Sequence, residues 1–210
     1  MIAIAKKYGG ISAGAENGIK GYQLTFMIAY IRDFCYPYNI IGDSFETSCK
    51  WTDVSSLCKK TAAAIDQINA EWGIRPTDSY NSFRVTQLYE TGAVVYVYFS
   101  YIYDTIPLDK VSAVCEYIEI RVREACMSFG GSISHHHGVG KKRKRFLSKT
   151  VSPTNVHMLR GIKQEIDPKN IFGIGNIYYA DQWDEKSHVE TDKVTPNPAK
   201  KFTGFNKIDD

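Results

Sequence analysis

With 210 residues, 43% of them hydrophobic and 23% charged, the chain has the make-up of a globular protein that can bury a sizeable core. A net charge of +3 is too small to argue for nucleic acid by itself. No apolar stretch reaches the roughly 18 residues of a membrane span. The first seven residues hold too short an apolar core for a signal peptide. Five widely spaced cysteines without a Cys-x-x-Cys pair speak for reduced thiols in an intracellular compartment and against a zinc site. Fourteen tyrosines point to an aromatic sheet face or an aromatic-lined pocket.

In chain order, residues 1–8 read as the tail of a helix ended by Gly9-Gly10. Gly14, Gly18 and Gly21 then read as a glycine-rich loop, and Leu24 to Tyr36 as a buried helix or strand that stops at Pro37. Residues 40–48 read as a strand or turn carrying polar groups. Thr52 is a candidate N-cap for a helix whose apolar face is Val54, Leu57, Cys58, Ile65, Ile68 and Trp72, with Gly73 as its stop. Two strands follow, near 82–89 and 93–103, joined by a turn at Glu90-Thr91-Gly92. In the second, Val95, Val97, Phe99 and Tyr101 share one face, and Tyr96, Tyr98 and Ser100 the other. Asp109 is placed as the cap of a helix with Val111, Val114, Cys115, Ile118 and Val122 inward and Gly130-Gly131 at its end. A basic helix start from Lys141 and a helix over 156–166 complete the ordered part. Residues 1–179 are thus one α+β domain, an antiparallel sheet flanked by helices, and 180–210 a disordered polar tail.

One segment stands apart. His135, His136 and His137 lie side by side between Gly130-Gly131 and Gly138-Val139-Gly140-Lys141. Imidazole titrates near neutrality and suits proton transfer, and flanking glycines let the backbone turn sharply. On an extended segment His135 and His137 would share a face, so at most two of the three would enter one pocket. A solvated loop is the competing reading. A metal site is disfavoured, because adjacent histidines point apart and no acidic or thiol ligand is suitably spaced. The run Lys141 to Arg145 reads as a solvated helix face, with contact to phosphate or an anionic membrane surface left open.

Five blocks occur in order: Gly21-Tyr22-Gln23-Leu24-Thr25-Phe26 with Ile31-Arg32-Asp33, then residues 42–48, Arg84-Val85-Thr86-Gln87, residues 132–141, and Asp167-Pro168-Lys169-Asn170-Ile171-Phe172-Gly173. Together they resemble the C-terminal part of the alkylglycerone-phosphate synthase (alkyl-dihydroxyacetonephosphate synthase) family, FAD-linked enzymes with a vanillyl-alcohol-oxidase-type fold. The resemblance implies a cap or substrate domain whose partner, an N-terminal FAD-binding domain, is missing here, so the chain is expected to be a fragment or one piece of a split enzyme. It also implies an activity in ether-lipid synthesis, the exchange of the acyl group of acyl-dihydroxyacetone phosphate for a long-chain fatty alcohol through a covalent adduct at FAD N5. A peroxisomal location follows by family, although the chain shows no targeting signal, and a homodimer and a peripheral membrane contact are left open.

Carried over by position, Arg32 matches the substrate-binding arginine, expected at the phosphate, which a planar guanidinium binds in pairs of oxygens. Tyr96 matches the proton-moving tyrosine; a phenol would need help from cationic neighbours to act as a base. His135, His136 and His137 match the essential triplet, with His137 also expected at the cofactor. Asn176 is a weaker cofactor-side match within Ile174-Gly175-Asn176-Ile177-Tyr178. Glu46 and Arg84 are read as structural and left outside the site. Arg32, beside Asp33 in an apolar stretch, has a buried structural ion pair as its alternative role. The competing functions are a flavin-dependent 2-hydroxyacid dehydrogenase and an inert cap-domain remnant.

Overall fold

Strict alternation drives the central strand β3 (Gly92–Ile102). Val95, Val97, Phe99 and Tyr101 are buried on one face, while Tyr96, Tyr98 and Ser100 are half-covered on the other. The structure is a computed structural model describing residues 2–173 and 176. β2 (Ser79–Leu88) pairs antiparallel with β3, setting Arg84 opposite Tyr96, and a bulge at Thr86 interrupts the register between Val85 and Gln87. β1 (Ile40–Lys50) lies along the other edge of β3, giving the order β1-β3-β2. Gly42 abuts Ser100 and Gly92 abuts the Cys49 carbonyl, so β1 also runs antiparallel to β3.

Two long amphipathic helices, α3 (Val54–Glu71) and α4 (Val111–Ser128), pack on each other, and α3 also packs on β2 and β3. Leu57, Ile65, Ile68, Val114, Ile118 and Val122 are all fully buried, at 0% exposure. Trp72 meets Tyr117 edge-to-face at 5.5 Å. Neither helix start is capped as the sequence suggests. A 3₁₀ turn over Trp51–Asp53 draws the Thr52 hydroxyl onto the Asp53 carboxylate at 2.9 Å, leaving Asp53 as the cap residue of α3. At α4 the cap position falls on Lys110, because residues 107–110 form their own turn.

The chain divides into two units, Met1–Ile41 and Gly42–Asp210. The first holds α1 (Ile2–Lys7) and α2 (Gly14–Cys35), followed by a short 3₁₀ turn at Tyr36–Tyr38 that carries Pro37. Here two expectations fail. Gly18 and Gly21 are helical, since Ala15, Glu16, Lys20, Gln23, Leu24 and Met27 around them are strong helix formers. The apolar stretch from Leu24 is helical but not buried, with Phe26, Ile28, Tyr30 and Phe34 all exposed. Its apolar residues surround the helix on every side, so no single stripe defines an inward face.

In the second unit, α5 (Gly140–Arg143) is one turn long and runs into a 3₁₀ segment over Lys144–Lys149. α6 (Pro153–Ile166) starts earlier than its apolar pattern suggests, because the Ser152 hydroxyl accepts the Asn155 N–H at 3.2 Å and Pro153 fits the first turn. Ile133, Phe146 and Leu147 form a small second core under the histidine segment. Among the described residues no helix is long and apolar enough to cross a membrane. The tail expected at 180–210 lies outside the described residues.

The end of α4 fixes where the histidine segment begins. Gly130 adopts φ +95°, and the Gly131 N–H returns to the Cys126 carbonyl at 3.1 Å. A Cβ on Gly131 would lie 2.7 Å from both Cys126 Sγ and Thr47 Oγ1. Gly131→Ala is therefore expected to lower stability by about 1–3 kcal/mol in urea unfolding. An unchanged midpoint would show that β1 and α4 separate at no cost.

Candidate active site

Residues 45–47 of β1 are buried in succession, which places Glu46 at 0% exposure beside Phe45 and Thr47. Such a carboxylate must be solvated from within the protein. Its donors all come from the histidine segment and α5. Glu46 Oε1 accepts the Ser134 hydroxyl at 2.8 Å, the His137 N–H at 3.0 Å and Arg143 Nη1 at 2.9 Å. Oε2 accepts the His135 N–H at 2.6 Å. Burial by itself would raise the Glu46 pKa. The His137 N–H, the Ser134 hydroxyl, the His135 N–H and the Arg143 charge outweigh it and hold the carboxyl below its ordinary range.

The adjoining residues continue the clamp. The Ser132 N–H donates to the Ser48 carbonyl at 3.0 Å, the Thr47 hydroxyl to the Ser132 carbonyl at 2.9 Å, and the Ser48 N–H to Ser132 Oγ at 2.9 Å. Arg143 also donates to Ser134 Oγ at 2.8 Å and to the Gly138 carbonyl at 2.9 Å. The histidines thus ride on a turn pinned to β1.

This corrects the alternation argument. Because the segment bends rather than extends, His136 and His137 converge and His135 diverges. Tyr96 Oη lies 2.8 Å from His136 Nε2 and 2.7 Å from His137 Nε2. His135 Nε2 instead meets Tyr89 Oη at 3.0 Å, while its Nδ1 is 3.0 Å from His136 Nδ1. Tyr96 stacks on Tyr98 at 5.7 Å, and the Arg84 guanidinium stands 5.8 Å from the centre of each ring.

The cationic neighbours that a basic phenol would need are present, but they do not prevail. Desolvation, the Tyr98 hydroxyl and the Glu46 charge raise the Tyr96 pKa against the opposing pull of Arg84 and Arg143. Desolvation lowers the His137 pKa; Glu46 works against this, while His136, Arg143 and Arg123 reinforce it. At neutral pH the centre therefore pairs a protonated phenol with a neutral His137 imidazole.

The basic run is solvated only in part, with Lys141 and Lys142 exposed and the next two residues buried. Arg143 and Lys144 are both 8% exposed, and Lys142 bonds Glu119 at 2.8 Å and faces Asp43 at 3.8 Å. Glu119 also takes Arg123 at 3.2 Å, and that guanidinium covers the Phe45 ring at 4.3 Å. Burial would raise the Glu119 pKa, but bonds and charge from Lys142 and Arg123 hold it down. Arg143, Glu119 and Arg123 are buried charges outside the candidates read from the sequence, and Glu46, read there as structural, is the carboxylate that holds the turn. Of these, Glu119 and Arg123 carry a signal, a charge inside an otherwise apolar helical pattern, whereas Glu46 stands in a polar strand and Arg143 in a basic run.

Two further candidates stand on other segments of the chain. Arg32 belongs to the first unit, where it is exposed on α2 rather than held in a buried ion pair. Asn176 donates its N–H to the Gly173 carbonyl at 2.9 Å and lines an apolar cleft of about 540 Å³ with Leu159, Ile162, Ile166 and Phe172. Ile174, Gly175, Ile177 and Tyr178 lie outside the described residues. Among the described residues no His, Cys, Asp and Glu group could hold a metal ion.

Residues 12–177 match the family described as FAD linked oxidases, C-terminal domain, and the chain belongs to that family. More particularly, it is 41% identical over 174 residues to an alkyldihydroxyacetonephosphate synthase of Caenorhabditis elegans, covering 83% of this chain and 29% of that protein. A synthase of the same name from Trypanosoma brucei brucei is 22% identical over 208 residues, covering 99% of this chain and 32% of that one. The chain therefore spans about a third of these relatives. A solved alkyldihydroxyacetonephosphate synthase structure matches 69% of this chain and 22% of its own, at 20% identity and a TM-score of 0.49.

Glu46→Gln keeps the shape of the clamp and removes its charge, leaving Arg143 uncompensated. Unfolding free energy is expected to fall by about 3 kcal/mol. Because the folded carboxyl titrates below its ordinary 4.5, wild-type stability from this group is complete above that value and is lost as the pH falls through the depressed one. The Gln variant should lack that acid step; an identical acid limb in both proteins would remove Glu46 from the account.

Proposed function

We propose that this chain supplies the substrate-side half of an alkylglycerone-phosphate synthase active site. In this reading residues 1–179 serve as the cap domain, and the reaction exchanges the acyl group of acyl-dihydroxyacetone phosphate for a fatty alcohol. The observation that carries it is one phenol, Tyr96, held by the Nε2 atoms of two adjacent histidines. The donor set fits FAD: stacked Tyr96 and Tyr98 rings on β3, the Arg84 cation on β2 and the imidazole edges of the turn share one uncovered side of the sheet, open to a planar anionic cofactor. When bound, FAD supplies the electron sink and group carrier.

The chain's own residues then handle protons and charge. Tyr96 Oη takes a proton at the carbon that loses and regains substituents, while His136 and His137 set the phenol's protonation state. Because the Tyr96 pKa is raised, the phenol works only by giving its own proton to a histidine as it receives another. Arg32 is assigned to the substrate phosphate, and Asn176 to the cofactor side, on the family match alone. Ether-lipid synthesis and a peroxisomal location belong to the same reading, supported by the synthase name of the relatives.

In FAD-loaded full-length protein, transfer of a labelled fatty alcohol should proceed with no electron acceptor consumed. Consumption of an acceptor with a 2-hydroxyacid would favour the dehydrogenase instead. Tyr96→Phe and His137→Ala should each lower transfer by roughly 10²–10⁴-fold at unchanged melting temperature. Wild-type turnover by either variant removes that residue from the mechanism. Arg32→Lys should raise KM for the phosphorylated substrate more than it changes flavin content, since a point charge cannot reproduce a paired contact; an unchanged KM would sink the phosphate assignment.

A further inference from the structure

Arg143 carries only donors, so His137 Nδ1, 3.3 Å from Arg143 Nη2, must accept. A neutral His137 therefore holds its hydrogen on Nε2 and donates it to Tyr96 Oη. The phenol can then donate only to His136 Nε2. That leaves the His136 hydrogen on Nδ1, directed at His135 Nδ1, and the His135 hydrogen on Nε2, directed at Tyr89 Oη. One donor-only group orders five side chains in a single direction. The last of them, Tyr89, is 51% exposed, so its own O–H can donate to water.

We propose that His136, His135 and Tyr89 form a proton relay from Tyr96 to bulk water, with Tyr89 as its solvent-side terminus. This deepens the synthase reading and rests on it for the source of the proton. As Tyr96 Oη receives a proton from substrate, its own proton passes to His136 Nε2, that of His136 Nδ1 to His135 Nδ1, and that of His135 Nε2 to Tyr89 Oη. The original Tyr89 proton leaves to water. Each group loses one proton and gains one, no electrons move, and the reverse sequence returns the proton and resets the hydrogens.

Tyr89 suits this role because its position does not depend on its hydroxyl. Trp51 Nε1 donates to the Tyr89 backbone carbonyl at 2.8 Å, and the Tyr89 ring packs against His135 at 5.5 Å. Tyr89→Phe keeps both contacts and removes only the relay atom. His136 is then the group that takes the Tyr96 proton, and His137 the one that donates to the phenol oxygen.

The first test reads the hydrogens directly, by ¹⁵N side-chain NMR of histidine in the 210-residue chain. The relay requires Nε2–H in His135 and His137 and Nδ1–H in His136. A hydrogen on His136 Nε2 in place of Nδ1 would overturn it. The second test is alcohol exchange by FAD-loaded full-length protein carrying Tyr89→Phe. Turnover should fall by roughly 10²-fold with a larger solvent isotope effect, and added imidazole should restore it in proportion to its concentration. Wild-type turnover, or a loss that imidazole does not rescue, would overturn the relay. Should wild-type protein fail to exchange alcohol, the synthase reading falls, and the histidine hydrogens still decide the relay.

Discussion

A carboxylate taken fully out of water must find its solvation inside the protein, and Glu46 finds it in the segment that carries the histidines. The exchange works both ways. The turn satisfies the carboxylate with two backbone N–H groups, a serine hydroxyl and an arginine, and the carboxylate fixes that turn over β3. With only hydrophobic contacts beneath it, a glycine-flanked run of three histidines would sample many arrangements. Directional charge-assisted bonds select one of them. The cost of burying the charge is met where two histidines converge on Tyr96.

The same buried charges set the protonation states around Tyr96. Glu46 raises the phenol and works against the desolvation that lowers His137, while Arg143 opposes both effects. Arg143 matters as much for its geometry as for its charge, because a group with donors alone can be approached only by an acceptor. A lysine at this position could not make the forked contact to Glu46, Ser134, Gly138 and His137. Behind them, Arg123 between Glu119 and Phe45 ties α4 to β1. The histidine-bearing side of the sheet thus rests on a layer of paired charge that the hydrophobic core does not itself supply.

Much of the scaffold was legible because it depends on local pattern. Period-two alternation located Tyr96 on the uncovered face of β3, and apolar spacing located α3 and α4. The histidine cluster and its glycines announced themselves by composition. What stayed hidden depends on distant partners. Glu46 and Arg143 are 97 residues apart, so nothing near either one shows that it is paired. For the same reason the run Lys141 to Arg145 looked solvated, although Lys142 and Arg143 meet carboxylates from α4 and β1. The convergence of His136 and His137 was missed because alternation presumes an extended backbone, and four donors to one carboxylate bend it instead. In α2, apolar residues were equated with burial, although they surround the helix and leave no inward face.

The arrangement of the histidines depends on Glu46 being ionised and on its charge holding their turn. The most direct measurement is a titration of the Glu46 side-chain carboxyl carbon by NMR, followed together with the backbone amides of His135 and His137. Under the clamp the carboxyl titrates below its ordinary 4.5 and both amides shift in that same step. A carboxyl that titrates at or above that value, or amides that do not move with it, would contradict the clamp and with it the arrangement of the histidines around Tyr96.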